Sequence, residues 1–133
     1  MTASKSPKPL AIIAEDMPMV ANSLSRLLEA WDYETLIAYN GQKAIDLCRE
    51  HIEELVLLLT DGDMPKKHGL EVAAEVRKMS ENVKIILLSG SLHVGTNQAA
   101  ADAAVANGDL NAYLAKPYLV KVLRTKINEV LEA

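Results

Sequence analysis

A doubly wound α/β domain, five parallel strands in order 2-1-3-4-5 with helices on both faces, is the fold class this sequence predicts. Three observations predict it. From Leu10 onward, short apolar runs alternate strictly with helical patterns, five of each. The clearest run, Leu55-Val-Leu-Leu-Leu-Thr60, is apolar on both faces, as in a parallel strand covered on two sides. The chain has 133 residues, which suits one domain at the usual ~100–200 residues per unit. A domain of this size buries roughly two-thirds of its unfolded surface and needs neither disulfide nor metal to stay folded.

Residues 1–9, with Ser, Lys and two Pro, read as a flexible N-terminal tail, and residues 10–133 as the domain. Leu10–Ala14 is a buried strand closed by Glu15 and Asp16. Pro18 suits the first turn of a helix. Val20, Leu24, Leu27, Leu28 and Trp31 then share one helical face. Residues 35–39 form a second strand, broken by Asn40-Gly41, where Asn40 is placed to cap the next helix. That helix turns Ala44, Ile45, Leu47 and Cys48 inward. The third strand, residues 55–60, ends at Asp61, and a Pro65…Gly69 loop leads to a helix packed through Val72, Val76 and Met79. Residues 83–88 are the fourth strand, ended by Ser89-Gly90. An Ala-rich helix over Asn97–Ala106 stops at Asn107-Gly108. Ala112–Ala115 is the fifth strand, ended by Lys116-Pro117. The last helix carries Leu119, Val122, Leu123, Ile127, Val130 and Leu131. No second domain is expected.

Composition removes several function classes. With 14 basic and 18 acidic residues the net charge is −4, which argues against a dedicated nucleic-acid module. One cysteine, Cys48, excludes a disulfide framework and a multi-Cys zinc site, and fits a reducing cytoplasm. No apolar run approaches the ~20 residues that span a bilayer, so no membrane role is expected. His51, His68 and His93 stand in no metal-ligand spacing and read as solvated surface.

The chemistry gathers at the strand ends. In doubly wound sheets, ligands bind beyond the carboxyl ends of the strands, where the strand order reverses. The order 2-1-3-4-5 brings Glu15, Asp16, Asp61, Ser89 and Lys116 to one crevice. Two carboxylates about 4 Å apart repel by about 4 kcal/mol at an effective dielectric of 20, a large share of a typical ~5–15 kcal/mol stability. A bound cation resolves this, and an all-oxygen ligand set without His or Cys favours Mg²⁺. Lysine and hydroxyl then suit phosphate oxygens, and the site reads as a phosphoryl site with an aspartate nucleophile.

Taken in order, four motifs carry a family resemblance. They are Glu15-Asp16, then Thr60-Asp61-Gly-Asp-Met-Pro65-Lys-Lys-His-Gly69, then Leu88-Ser89-Gly90, then Tyr113-Leu-Ala-Lys116-Pro117. The chain resembles the receiver domain of two-component response regulators, of the chemotaxis-regulator type, over nearly its whole length, and the flavodoxin-like (βα)5 architecture accords with it. The resemblance implies a cytoplasmic phosphoprotein in which Asp61 accepts a phosphoryl group as an aspartyl phosphate. It implies Mg²⁺ held by Asp16, by Glu15 through water, by Asp61 and by the backbone carbonyl of Asp63. Ser89 matches the switch hydroxyl, Lys116 the lysine that is commonly followed by a cis peptide, and Tyr113 the aromatic that swings inward on activation. Asp63 and Ser91 stand at positions that tune the lifetime of the phosphoryl group. The implied partners are a sensor histidine kinase or phosphotransfer protein, as in a phosphorelay, and an output protein reading the face of helix 4, strand 5 and helix 5. A homodimer is a further expectation.

Departures from the family pattern are Glu rather than Asp at residue 15, a longer stretch between Ser89 and Lys116, and the additional acid Asp63. Three other readings fit the residues less well. An EF-hand loop fails because Pro65 and Lys66 stand where that loop needs an acid or amide and a glycine. A haloacid-dehalogenase-type phosphatase shares strand–Asp-x-Asp, but here the further acids lie upstream. A pseudo-receiver, acting only as a protein-binding module, has no use for the intact set Asp16, Asp61, Ser89 and Lys116.

Overall fold

The computed structural model describes residues 7–64 and 67–133. The expected tail therefore lies outside the described residues over 1–6, as do Pro65 and Lys66 of the third motif; residues 7–9 are exposed. The elements run β1 (Leu10–Ala14), α1 (Pro18–Ala30), β2 (Glu34–Ala38), α2 (Gly41–Glu50), β3 (Leu55–Asp61), α3 (Gly69–Met79), β4 (Lys84–Ser89), α4 (Asn97–Ala106), β5 (Ala112–Ala115) and α5 (Val120–Glu132). Pairing is parallel throughout and the strand order is β2-β1-β3-β4-β5.

Alternation along the strands divides the core in two. Ile12, Leu58, Ile85 and Leu87 point to one face and meet Ala44, Ile45 and Cys48 of α2, Val72 and Val76 of α3, and Ala101 of α4. Ile13, Leu57, Leu59, Ile86 and Leu88 point to the other and meet Leu24 and Leu28 of α1 and Leu123 and Ile127 of α5. Successive side chains of a strand project to opposite faces, so a strand inside a two-sided sheet is apolar without interruption. β1 is buried at all five positions and β3 at six of seven.

Local chemistry explains several boundaries. Pro18 stands at the start of α1. Asn40 accepts a hydrogen bond from the Lys43 amide at 2.9 Å and caps α2. His68, expected merely as solvated surface, caps α3: its Nδ1 accepts from the Leu70 amide and Glu71 accepts from its own amide. α4 and β5 span the residues expected of them, and Gly108 takes a positive φ of 93° just past α4. Strand ends differ by one residue. β2 begins at Glu34 and leaves Tyr39 exposed, while β3 and β4 run on to include Asp61 and Ser89.

One expectation about packing fails. Leu119 and Val122 were placed on the apolar side of the last helix, yet both are exposed. The buried residues of α5 are Leu123, Ile127 and Val130, spaced i, i+4, i+7. Leu119 is the N-cap, ahead of that face, and Val122 turns off it.

Candidate functional site

The parallel register sets the carboxyl ends of the central strands level: Ala14 pairs with Thr60 of β3, Asp61 with Leu88 of β4, and Ser89 with Ala115 of β5. Glu15 and Asp16 follow β1, Asp61 ends β3, Ser89 ends β4 and Lys116 follows β5. The expected acids, hydroxyl and lysine thus arrive at one rim from four strands.

The rim is sunk into the fold. Glu15 is 1% exposed, Asp61 6% and Ser89 4%. Close approach of α3 helps to bury Asp61. A Cβ on Gly69 would lie 2.4 Å from the Asp61 carbonyl oxygen, so only glycine lets the start of that helix sit here. Carboxylate oxygens of Glu15, Asp16 and Asp61 lie within 4.8 Å of one another. Lys116 Nζ reaches Asp61 Oδ1 at 3.1 Å and Glu15 Oε1 at 3.4 Å. Asp61 Oδ1 also accepts from the Asp63 amide at 3.2 Å, and Glu15 Oε2 from the Met17 amide at 3.1 Å. Lys116 is anchored through its own amide, which donates to the Ser89 carbonyl at 2.8 Å. The Lys116–Pro117 peptide is cis.

Electrostatics follow from burial and proximity. Burial raises the Glu15 carboxyl above its ordinary value, and the Asp61 charge raises it further, against the Met17 amide and Lys116. Burial alone would lower the Lys116 ammonium, but Asp61 and Glu15 outweigh it and hold the group above its ordinary value. Three acids and one cation leave a local surplus of negative charge. The donors are all oxygens gathered within 4.8 Å of one another, so the set fits Mg²⁺ with water completing its shell.

A second cluster borders the first. Asp63 turns its side chain away from the acids. Ser91 Oγ donates to Asp63 Oδ1 at 2.6 Å and Ser89 Oγ to Asp63 Oδ2 at 3.4 Å. The Ser91 amide donates to Ser89 Oγ at 3.1 Å. Asn97, the first residue of α4, donates from Nδ2 to the Ser91 carbonyl at 2.8 Å. Tyr113 stands apart from the acids, half-buried on β5, with its hydroxyl donating to Asp102 of α4. His51 pairs with Glu54, and His93 is exposed. Neither joins the site. Cys48 is buried in the core, where burial pushes its thiol up to about 12 and leaves it inert.

Sequence reasoning missed Asn97 and Asp102. A cap-type residue at the expected start of α4 was a signal for Asn97. Nothing local signalled Asp102, whose partner lies eleven residues on, across a turn.

Five parallel strands in this order, with acids, hydroxyl and lysine at their carboxyl ends, define a receiver-type α/β domain. The family model described as the response regulator receiver domain matches residues 11–128, and the chain belongs to that family. It is 32% identical over 116 residues to a chemotaxis protein CheY homolog of Campylobacter jejuni, covering 85% of this chain and 82% of the relative. It is 31% identical over 111 residues to the polar-differentiation response regulator DivK of Brucella anthropi, covering 82% and 85%. The solved response regulator TrrA of Thermotoga maritima, a complex with Mg²⁺ and BeF, superposes with a TM-score of 0.74 at 27% identity, over 91% of this chain and 97% of that one.

Proposed function

We propose that this receiver is a phosphorylation switch in which Asp61 accepts a phosphoryl group from a phosphohistidine donor. The observation that carries the reading is the convergence of Glu15, Asp16 and Asp61 with Lys116 Nζ at 3.1 Å from the Asp61 carboxylate. A relative solved as a complex with Mg²⁺ and BeF supports the reading that this fold takes magnesium. Glu15, Asp16, Asp61 and the Asp63 carbonyl would hold the ion, which supplies positive charge to the phosphoryl oxygens.

An Asp61 oxygen attacks phosphorus, the P–N bond to the donor imidazole breaks, and its electron pair leaves on the ring nitrogen, which takes up a proton from solvent. Lys116 offers a fixed ammonium to the incoming oxygens, and Ser89 a hydroxyl. Added charge draws both inward, Tyr113 follows, and the α4–β5–α5 face changes its affinity for an output protein. This is a shift between two populations biased by one local charge. Asp63 and Ser91 set how long the phosphoryl group persists. The domain acts on its own aspartate and turns over no external substrate. The expected setting is the cytoplasm.

Intact mass after incubation with a small acyl phosphate tests the reading. A labile gain of one phosphoryl group is expected with Mg²⁺ and absent in Asp61→Asn or without the ion. If a phosphorylated histidine kinase also fails to label the protein, the domain is a protein-binding module without phosphotransfer. Steady release of phosphate from small esters would instead make it a phosphatase.

A further inference from the structure

The Tyr113 side chain has somewhere else to go. Between α4 and the end of β5 lies a pocket of about 200 Å³, walled by Ser89, Leu92, His93, Gln98, Lys116 and Tyr113 itself. A cavity of about 150 Å³ accommodates benzene, so a phenol ring fits this one. Nothing in the β5 backbone keeps the ring out, because side chains of a strand are free to choose between rotamers. The ring packs partly on the core at the pocket wall, and its hydroxyl donates to Asp102 on the second turn of α4. Hydrogen bonds to a carboxylate are stronger than neutral ones. The Asp102 carboxylate also holds the phenol above its ordinary value, so the proton stays on Tyr113. Asp102 is exposed and packs into no core, which leaves this bond as its visible contact.

We infer that Asp102 is a positioning residue, a catch on α4 that keeps Tyr113 outward and the pocket beside Ser89 free in the resting domain. The inference rests on the reading of Tyr113 as the switch aromatic and names what opposes its movement. Turning inward costs the ring its carboxylate partner and leaves the phenol hydroxyl to the pocket wall. Asp102 therefore sets part of the gap between the two populations, and removing it shifts the resting protein toward the inward one. Because α4 carries the carboxylate, the catch also ties the orientation of that helix to the position of the ring. Among the described residues, α4 buries only the small side chains Ala101 and Ala104.

The test uses tyrosine-labelled protein in NMR, with the Tyr113 ring assigned by Tyr113→Phe among the four tyrosines. Beryllofluoride with Mg²⁺ serves as the phosphoryl mimic. In unliganded Asp102→Ala the Tyr113 resonance should move toward the position that beryllofluoride gives in the wild type. The half-saturating beryllofluoride concentration should fall about three- to tenfold. Asp102→Asn keeps an acceptor without the charge and should fall between. Tyr113→Phe should lower the half-saturating concentration similarly, with no further gain when combined with Asp102→Ala. A Tyr113 resonance unmoved in Asp102→Ala, with unchanged beryllofluoride affinity, overturns the catch. If the wild type ignores beryllofluoride while the resonance still moves in Asp102→Ala, the catch stands and the phosphoryl reading of Asp61 falls.

Discussion

The Ser89 hydroxyl is shared between Asp63 Oδ2 at 3.4 Å and Ser91 Oγ at 3.2 Å. In the proposed switch a phosphoryl group on Asp61 would need that same hydroxyl, so Asp63 would compete with it. The Asp63 carboxylate also repels the incoming anion, and both effects have one sign. Asp63→Ala should therefore speed labelling by a small acyl phosphate about three- to tenfold, as fits one weak hydrogen bond and one partly screened charge. Magnesium affinity should change little, since the proposed ligand at Asp63 is its carbonyl. Slower labelling in time-resolved intact mass would show that the carboxylate assists instead. At this scale the sequence was legible for groups that end an apolar run. Glu15, Asp16, Asp61, Ser89 and Lys116 each close a strand and so declare their place. The partners of Asp63 were not legible, because Ser89 and Ser91 reach it from the end of another strand, 26 and 28 residues on. Pattern reading carries no information about such contacts.

Arg77 shows what joins elements at the end of the sheet away from the acids. From the last turn of α3 its guanidinium donates to the carbonyls of Gly108, Ser80 and Val83 and to Asn111 Oδ1, at 2.8 to 3.1 Å. Asn111 Oδ1 also accepts from the Ile85 amide, at 2.8 Å. One side chain thus fastens α3, the α3–β4 turn, the end of α4 and the approach to β5. Arg77→Ala should cost about 1–3 kcal/mol in urea unfolding, discounted for the exposure of the group. Arg77→Lys should recover little, since one ammonium cannot serve four acceptors in a plane. Labelling of Asp61 should stay at the wild-type rate, and a loss there would mean that strain at this end reaches the site. Arg77 was invisible in the sequence, where it reads as a basic residue in the last turn of a helix. The helices themselves were legible in proportion to their amphipathicity. α1 and α2 declared their faces. In α5 the pattern of Leu123, Ile127 and Val130 was clear, but Leu119 and Val122 share the same composition and were assigned inward. Hydrophobicity alone does not tell an exposed residue at a helix start from one on the packed face.

Across the whole molecule, stability is set against function at the acidic rim. Glu15 is buried beside Asp61, and its carboxyl is held above the ordinary value, chiefly by burial. The folded, metal-free protein therefore binds more protons than the unfolded chain over the interval between the two values. Stability there falls as pH rises through the folded value. Lys116 has the same direction of shift but a far more alkaline range, so its contribution is fully present at neutral pH and is lost only above it. At neutral pH the ionised Glu15 is thus a net cost in the absence of metal, and a cation at the rim offsets it. Three outcomes follow from that sign. The metal-free protein should melt higher as pH falls from neutral toward the ordinary Glu value of 4.5. Glu15→Gln, which mimics the protonated group, should melt higher than the wild type at the upper pH and lose most of that slope. Magnesium at about a hundred times its dissociation constant should add about 2.7 kcal/mol to the wild type, an increment that Asp16→Asn should largely remove. Calorimetric scans with chelator and with Mg²⁺ decide the matter. A metal-free Glu15→Gln that melts below the wild type would mean that the Glu15–Lys116 pair outweighs burial. The rim would then be a structural ion pair before it is a metal site.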